Sequence, residues 1–347
     1  MTADLSNLPD FDSLPAVEGM PKGCAWGVFD KDGEKDTLGC LNLLTPERIR
    51  AAYTEARDGV SISLNASLDL IKAAGGPRAP TTHRVLSWAE DIAPEACAGL
   101  VVHDDEVSFN TQASSQWDGF CHVGHAPAGG LTYNGAAASK QALADPDRAR
   151  RLPGLEHWHA RGGVVGRGVL LDYYAYAQAR GITYDAMSRH VITIEDLEKV
   201  AAAQGTELRT GDVLLVRAGV AEAFEGLTGE QQTELMVKGQ GAMVGVEGNE
   251  QAAKWFWNKH FAAVASDTFA FEVFPPQKPD GTIGGFGDLV LHKYFLNMFG
   301  LNIGELWNLK ALGEHCAKIG RYSFLLTSVP LNISGLVASP PNALALF

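Results

Sequence analysis

The sequence contains few cysteines and comparatively few basic residues. Its five cysteines are an odd number, widely spaced and without a C-x-x-C pair, which favours reduced thiols over a disulfide scaffold. Against 41 Asp and Glu residues there are only 28 Lys and Arg residues, giving a formal net charge of −13 at pH 7. Nucleic acids and anionic membrane surfaces both attract clustered positive charge. The composition therefore argues against either of them as a partner and favours a small-molecule substrate.

Long apolar runs are also missing. No segment approaches the roughly 20 apolar residues that are needed to span a bilayer. Residues 1–12 are polar and acidic, unlike the basic and apolar regions of a secretory signal. Together with the reduced thiols, these features predict a cytoplasmic protein.

Short apolar segments recur along the chain without a fixed period. Residues 166–172 and 211–217 are mainly apolar segments that begin with glycine and end with a charged residue. This pattern is typical of a buried strand. Such strands outnumber the predicted helices, and the pattern predicts a mixed α/β fold with a mixed central sheet or flattened barrel. Residues 1–25, with three prolines among acidic residues, are predicted to form an N-terminal arm. Residues 26–347 are predicted to form a single domain.

Two glycine-rich segments do not fit nucleotide-binding loops. In residues 162–168 the apolar strand follows the glycines, whereas a dinucleotide fingerprint requires strand, glycines and then helix. Residues 284–287 lack the lysine and serine of a phosphate loop. The chain also has no G-x-S-x-G elbow, which argues against a serine hydrolase of the α/β type.

The densest polar cluster lies between residues 112 and 125. Gln116 and Asp118 are two residues apart, so an extended backbone directs both side chains to one face. Gly119 allows the chain to bend, and His122 can then turn back toward the same point. An amide oxygen, a carboxylate and an imidazole form a plausible metal site or acid–base set. The alternative is a polar turn with a surface aspartate.

A second candidate pair is His292 with Glu305. A helix is predicted over residues 289–299, and Gly300 ends it, so the returning chain can bring Glu305 beside His292. Alternatively, His292 is an exposed helix residue and Glu305 is an ordinary acid at the start of the next helix.

Asp267 and Glu272 form a third acidic group directly after a predicted buried strand. Acidic residues at the end of a strand often line a cleft. They can equally cap the following loop, and the sequence leaves both interpretations open.

Taken together, these segments resemble the cyclase family, the group that includes kynurenine formamidase, isatin hydrolase and trans-dienelactone hydrolase. The family hallmark, His-x-Gly-Thr-His-x-Asp-x-Pro-x-His, can be placed on residues 112–122 and matches at Asp118 and His122. Gln112 and Gln116 occupy the places of the two early histidines, Ser115 replaces the threonine and Phe120 replaces the proline. His292, Glu305 and the segment Ser266-Asp267-Thr268 resemble the downstream motifs, and the resemblance extends over nearly all of the chain from Trp26.

The resemblance implies a swivelling β/β/α domain, seen in the family as a homo-oligomer, for which a dimer or tetramer is expected. It implies that Asp118, His292 and Glu305 are metal ligands and that His122 donates and accepts protons. The two glutamines remove imidazole ligands, so one divalent ion is expected, Zn²⁺ or Mn²⁺. The amide oxygens of Gln116 and Gln112 are further candidate ligands.

The function expected from the resemblance is metal-dependent hydrolysis of a small cyclic or aryl amide or lactone. Metal-activated water would attack, with His122 as general acid and base. Trp26, Trp117 and Phe120 are expected to form an apolar wall against the substrate ring. Arg167 and Arg217 either hold a product carboxylate or form structural ion pairs.

Two other functions remain open from the sequence. A lyase or dehydratase could use the same metal and His122. A family member without metal could serve as a binding or scaffold protein, which the two glutamines favour and the retained ligand set opposes.

Overall fold

A nine-stranded mixed sheet forms the centre of the computed structural model, which describes residues 8–72, 78–97, 99–125 and 129–347. The strands are β1 (Ser61–Ser63), β2 (Thr82–Ser87), β3 (His103–Ser108), β4 (Gln116–Asp118), β5 (Val164–Asp172), β6 (Val191–Ile192), β7 (Val213–Arg217), β8 (Gly245–Val246), β9 (Ala263–Ser266), β10 (Asn302–Glu305), β11 (Ser323–Ser328), β12 (Ala338–Ser339) and β13 (Ala343–Leu346). The large sheet has the order β1-β13-β11-β5-β7-β9-β10-β4-β12 and curls into a half-barrel. The pairs β2–β3 and β6–β8 form separate small sheets.

Short helices connect these strands. They are α1 (Pro46–Ala52), α2 (Lys140–Leu143), α3 (Pro146–Ala149), α4 (Glu156–Ala160), α5 (Tyr173–Ala179), α6 (Ile194–Gln204), α7 (Val220–Phe224), α8 (Gly229–Lys238), α9 (Glu250–Asn258) and α10 (Lys310–Ile319). Two further segments, Trp88–Ile92 and Lys293–Phe299, form π-helices. None of the helices in the described ranges is long and apolar enough to cross a membrane.

The centre of the sheet is parallel, and the strands on both sides of this centre are antiparallel. β5 pairs with β7, β7 with β9 and β9 with β10 in parallel, and their middle residues are completely buried, as in Leu214, Val264 and Ile303. Parallel strands covered on both faces are expected to be continuously apolar. β4 runs antiparallel to β10. The start of β4 therefore meets the carboxyl end of β10, and this junction carries the polar residues.

The segment before residue 26 packs into the same core as the rest of the chain. Phe11 is 1% exposed, and its ring lies 6.0 Å from that of Tyr294 and 6.2 Å from that of Phe299. Its backbone amide donates to Asn258. Within residues 8–25 of the predicted arm, Leu8, Phe11, Cys24 and Ala25 are thus buried in the central core, while residues 1–7 lie outside the described ranges.

Strands β2 and β3 form a hairpin that pairs with no other strand in the described parts of the chain. Apolar side chains such as Val85 and Val107 are about half exposed on it. The chain enters the hairpin after Arg78 and leaves it before Gln112. Both of these flanking residues line the cavity described below, so the hairpin rises from the edge of that cavity.

The predicted mixed α/β class with a curled central sheet is confirmed. The helix expected over residues 289–299 begins two residues later than predicted, because residues 291 and 292 form its first part and Lys293–Phe299 continues it as a π-helix. Gly300 ends it with a positive φ of 66°, as expected for a residue without a Cβ atom. The chain then returns directly into β10.

Candidate metal centre

The register between β4 and β10 brings the two predicted clusters together. Gln116 lies opposite Glu305, and Asp118 lies opposite Ile303. Because side chains alternate along a strand, Gln116 and Asp118 share one face of the sheet and Trp117 faces the other. Gln116, Asp118 and Glu305 are all nearly inaccessible to solvent. Because of their two-residue spacing, Gln116 and Asp118 thus form one buried polar surface together with Glu305.

His292 is held against this surface by Glu272. The Oε1 atom of Glu272 accepts a hydrogen bond from the backbone amide of His292 at 2.8 Å and lies 3.1 Å from its Nδ1 atom. Its other oxygen accepts from the backbone amide of Val290 at 2.9 Å. The Nε2 atom of His292 is consequently directed at Glu305, with 3.1 Å between Nε2 and Oε1. Glu272 therefore fixes the orientation of the imidazole ring.

Asp118, His292 and Glu305 can share one cation. One nitrogen or oxygen atom from each residue can be chosen so that all three lie within 4.8 Å of one another, and all three residues are buried. The alternatives of an exposed helical His292 and a helix-starting Glu305 do not hold, since His292 is 6% exposed and Glu305 ends a strand. Two carboxylates and one imidazole are a suitable donor set for a divalent transition metal.

Two buried acceptors support the fit to a cation. In the described parts of the chain, Oδ2 of Asp118 and Oε1 of Gln116 are buried and have no hydrogen-bond partner. A buried acceptor without a partner is costly, and such groups often mark an ion site. Both belong to the set around His292 and Glu305, so the residues present fit a bound metal ion.

The charges at this site also favour a cation. Although burial opposes protonation, hydrogen bonds with Glu272 and Glu305 raise the pKa of His292 to about 10. Burial and the nearby Asp118 carboxylate raise the pKa of Glu305. Burial beside Asp118 thus disfavours the charged form of Glu305, and the positive charge of the His292 imidazolium opposes this effect when no metal is bound. A metal ion can replace that proton, because metal binding to histidine requires the neutral imidazole.

His122 lies next to this set at the wall of a cavity. Its Nε2 atom is 4.0 Å from Oδ2 of Asp118, and its side chain is 25% exposed. The cavity has a volume of about 340 Å³. It is lined by polar groups (Arg78, Gln112, His122, His125, His292, Lys293 and Glu305) and by a mainly apolar part (Val123, Gly124, Phe269, Ala270, Phe286, Gly287 and Leu289). His122 is therefore a partly exposed imidazole close to the buried acceptor of Asp118.

Comparison with known proteins agrees with this geometry. The Cyclase family model matches residues 41–273, which is more than half of the chain. The chain belongs to the cyclase family. Among solved structures, a crystal structure of a novel cyclase is 29% identical, with a TM-score of 0.76, covering 93% of this chain and 99% of that one. The cyclase fold thus spans almost the whole protein, and no significant match is found among curated proteins.

Two isatin hydrolases share the cyclase fold at lower identity. Isatin hydrolase A from Ralstonia solanacearum is 13% identical with a TM-score of 0.54, covering 87% of this chain and 97% of its own. An isatin hydrolase bound to the product analogue thioisatinate is 12% identical with a TM-score of 0.52, covering 83% and 92% of the respective chains. At this level of identity, the likeness establishes the common fold.

The two glutamines that depart from the cyclase hallmark contact the carboxylates of the set. The amide nitrogen of Gln112 donates to Oδ1 of Asp118. The amide nitrogen of Gln116 donates to Oε2 of Glu305 at 2.7 Å and to Oε1 of Gln112 at 3.3 Å. In this structure both glutamines therefore orient the carboxylates through their NH₂ groups. These contacts leave Oε1 of Gln116 without a partner among the described residues, so metal ligation through a glutamine oxygen stays a prediction.

The residues expected to form an apolar wall in this cyclase lie elsewhere. Trp117 is completely buried, with its ring 4.8 Å from that of Trp307 and its nitrogen bonded to Ser328, because strand alternation directs it into the core. Phe120 is 1% exposed and packs on Tyr133. Trp26 donates to the carbonyl of Asn297. None of the three lines the cavity, which corrects their predicted positions.

Arg167 and Arg217 form structural ion pairs. Arg167 bonds to Asp212 at 2.8 Å and to Glu55 at 3.1 Å. Arg217 bonds to Asp172 at 2.9 Å and Glu222 at 2.8 Å. Of the two interpretations left open by the sequence, the structure therefore supports the ion pairs.

Asp267 and Glu272, the third acidic group, have separate structural tasks. Asp267 accepts hydrogen bonds from the backbone amides of Ala218 and Gly219, each at 2.7 Å, and of Val220 at 3.2 Å. It thereby caps the turn between β7 and α7. Glu272 instead orients His292, a role that was not evident from its place in the sequence.

Replacing Asp267 with asparagine is expected to lower the free energy of unfolding by about 1–3 kcal/mol, because an amide NH₂ group would face a buried amide N–H. Chemical denaturation of the metal-free protein measures this loss, with Asp280→Asn at an exposed turn as the control. Metal content should be unchanged. A loss of metal in Asp267→Asn with unchanged stability would instead assign Asp267 to the metal site.

Replacing Glu272 with glutamine is expected to weaken metal binding by about 10–100-fold, the usual cost of losing an outer-shell partner of a ligating histidine. The substituted NH₂ group would oppose the amide of Val290 and tilt His292 away from Glu305. Titration with Zn²⁺ against a chromophoric chelator measures the affinity, and Glu234→Gln on the exposed face of α8 serves as control. An affinity equal to that of the wild type would contradict the orienting role.

Proposed function

We propose that this cyclase-family protein is a metal-dependent hydrolase of a small cyclic or aryl amide or lactone. The observation that carries the proposal is the buried set of Asp118, His292 and Glu305 with an unpartnered carboxylate oxygen, beside His122 at a cavity wall. The proposal assigns one divalent ion, Zn²⁺ or Mn²⁺, to the three ligands. A bound ion supplies Lewis-acid chemistry by polarising the substrate carbonyl and lowering the pKa of water.

His122 performs the proton transfers in this proposal. Its imidazole is partly exposed to the cavity and therefore reaches both water and substrate. It accepts a proton from the attacking water and returns it to the leaving nitrogen or oxygen. Asp118, only 4.0 Å away, stabilises the imidazolium that forms between these two steps. Glu272 keeps His292 from rotating during the reaction.

The apolar side of the cavity accounts for a cyclic or aryl substrate. Phe269, Phe286 and Leu289 are among the apolar residues that line it. The ring of Phe286 stacks on that of Phe274 with 4.5 Å between centroids, which fixes its position although it is largely exposed. Flat apolar surfaces of this kind bind the face of a ring and exclude water from the reacting carbonyl.

Metal analysis combined with a substrate panel tests the proposal. Protein purified with Zn²⁺ or Mn²⁺ should contain about one ion per chain and should hydrolyse at least one of formanilides, aryl lactones and cyclic imides such as isatin. Chelation should remove the activity, and the same ion should restore it. Protein that binds no divalent ion at micromolar concentration would refute the metal-dependent mechanism.

A further inference from the structure

The cavity contains positively charged groups that the proposed hydrolysis does not use. Lys293 is half-buried and follows directly after His292, and Arg78 lies at another part of the wall. Within the described ranges, neither side chain forms an ion pair with a carboxylate, in contrast to Arg167 and Arg217. The guanidinium of Arg78 is held by the carbonyl of Gln112 at 3.0 Å. Arg78 also acts electrostatically on the Glu305 carboxylate and lowers its pKa, so among the described residues Lys293 is the lining cation without such a carboxylate.

His125 adds a buried polar group to the same wall. It is 3% exposed and lines the cavity. Its backbone is fixed, because its amide donates to Leu131 at 2.8 Å and its carbonyl accepts from Gly130 at 3.0 Å. Burial and the nearby Lys293 ammonium group lower the pKa of the His125 imidazole, which lines the same wall as Lys293. A neutral imidazole on this wall can donate a hydrogen bond to a bound anion.

The metal site itself offers little net attraction to an anion. The carboxylates of Asp118 and Glu305 together offset the two charges of a divalent ion, and Glu272 adds a further negative charge behind His292. Attraction for an anionic group must therefore come from the other polar residues of the cavity. Lys293 and Arg78 are the cations in the described ranges that line it.

We propose that Lys293, His125 and Arg78 form an anion subsite that selects substrates carrying a carboxylate group. This inference rests on the proposed hydrolase function and deepens it, because it names the substrate class as a small carboxylate-bearing amide or lactone. The carboxylate binds at the subsite, the ring lies against Phe269 and Phe286, and the reacting carbonyl lies at the metal ligands. The cavity volume of about 340 Å³ limits such a substrate to roughly one ring with short substituents.

Binding of benzoate and of the uncharged benzamide to the metal-loaded protein tests the subsite without requiring turnover. Calorimetry at constant ionic strength should show tighter binding of benzoate in the wild type. In Lys293→Met the affinity for benzoate should fall by about 10–100-fold, as for loss of a hydrogen bond to a charged group, while that for benzamide stays within about twofold. Lys318→Met, at an exposed position on α10, should leave both affinities unchanged.

Two further measurements keep the test decisive. Because Lys293 adjoins His292, the metal content of Lys293→Met is measured first. If that variant loses its metal, Arg78→Met on a different segment provides the test and should show the same selective loss. The subsite would be overturned if the variant bound benzoate as tightly as the wild type, which is also the result expected if benzoate binds through the metal alone. It would equally be overturned if the wild type bound benzoate no more tightly than benzamide.

Hydrolysis of a matched pair separates this inference from the proposed function. The ratio of kcat/KM for 2-formamidobenzoate to that for formanilide should exceed one in the wild type and fall about 10-fold or more in Lys293→Met. Turnover of both compounds at equal rates would overturn the subsite but not the hydrolase. Selective benzoate binding without turnover of any panel compound would overturn the hydrolase but not the subsite.

Discussion

Asp118→Asn is expected to lose the metal ion and with it the hydrolytic activity. The substitution removes the buried Oδ2 acceptor that has no partner among the described residues and replaces it with an NH₂ group, which repels a cation. The loss in kcat/KM should exceed the about 10–100-fold cost of removing an outer-shell partner, since a direct ligand is lost. Metal analysis after gel filtration and the rate on the best panel substrate measure the two effects.

The stability of the metal-free protein distinguishes this result from misfolding. The asparagine introduced by Asp118→Asn can still accept the hydrogen bond from Gln112, and the charge repulsion that Glu305 experiences at this position is relieved. The melting temperature of metal-free Asp118→Asn should therefore equal or exceed that of the metal-free wild type. Asp105→Asn on the exposed hairpin is the matched control for activity. Full metal content and full rate in Asp118→Asn would show that the cation site is placed wrongly.

His122→Gln is expected to keep the metal ion and lose most of the rate. Asp118, His292 and Glu305 remain in place, so about one ion per chain should still bind. Loss of a positioned general acid and base typically lowers the rate by about 10²–10⁴-fold. The measurement is kcat on the metal-loaded variant, compared with the wild type at equal metal content.

The pH profile and a second histidine variant complete the test of His122. The residual activity of His122→Gln should depend on pH differently from the wild-type activity, because the general acid and base has been removed. His103→Gln, an exposed hairpin position, should behave as the wild type. A His122→Gln variant that loses its metal would instead make His122 a ligand.

The polar surface of the metal centre could be predicted because it depends on local periodicity. The spacing of Gln116 and Asp118 was enough to place both side chains on one face of a strand. The break at Gly300 was enough to predict that the chain returns past His292 toward Glu305. The same alternation also directs Trp117 to the opposite face of the sheet. It is therefore incompatible with the prediction that Trp117 contacts the substrate ring.

Other parts of the site depend on contacts between residues that are far apart in the chain, and such contacts cannot be predicted from local sequence patterns. Glu272 and His292 are 20 residues apart and meet only through the fold. Lys293 and Arg78 belong to segments more than 200 residues apart, so their common cavity follows from the order of the strands. His125 is the residue of the cavity wall that the sequence could have indicated, because it lies in the same polar cluster as His122.

The fold class was predictable from the short apolar strands, whereas the boundary at residue 25 stays a prediction. Prolines and acidic residues suggested an arm, but Leu8 and Phe11 are buried in the central core. A few apolar side chains outweigh the polar composition around them, since burying one large apolar side chain contributes about 1.5–3 kcal/mol.

The hairpin of β2 and β3 can be exchanged without disturbing the strands of the large sheet. It pairs with no other strand in the described ranges, yet its two ends, Arg78 and Gln112, reach the cavity wall. Exposed connections of this kind accept insertions and deletions more readily than the strands they join. Exchange of this segment between homologues would therefore change the residues next to the cavity wall, while β4 and β10 keep the ligands in register. Selectivity and chemistry can in this way diverge independently during evolution.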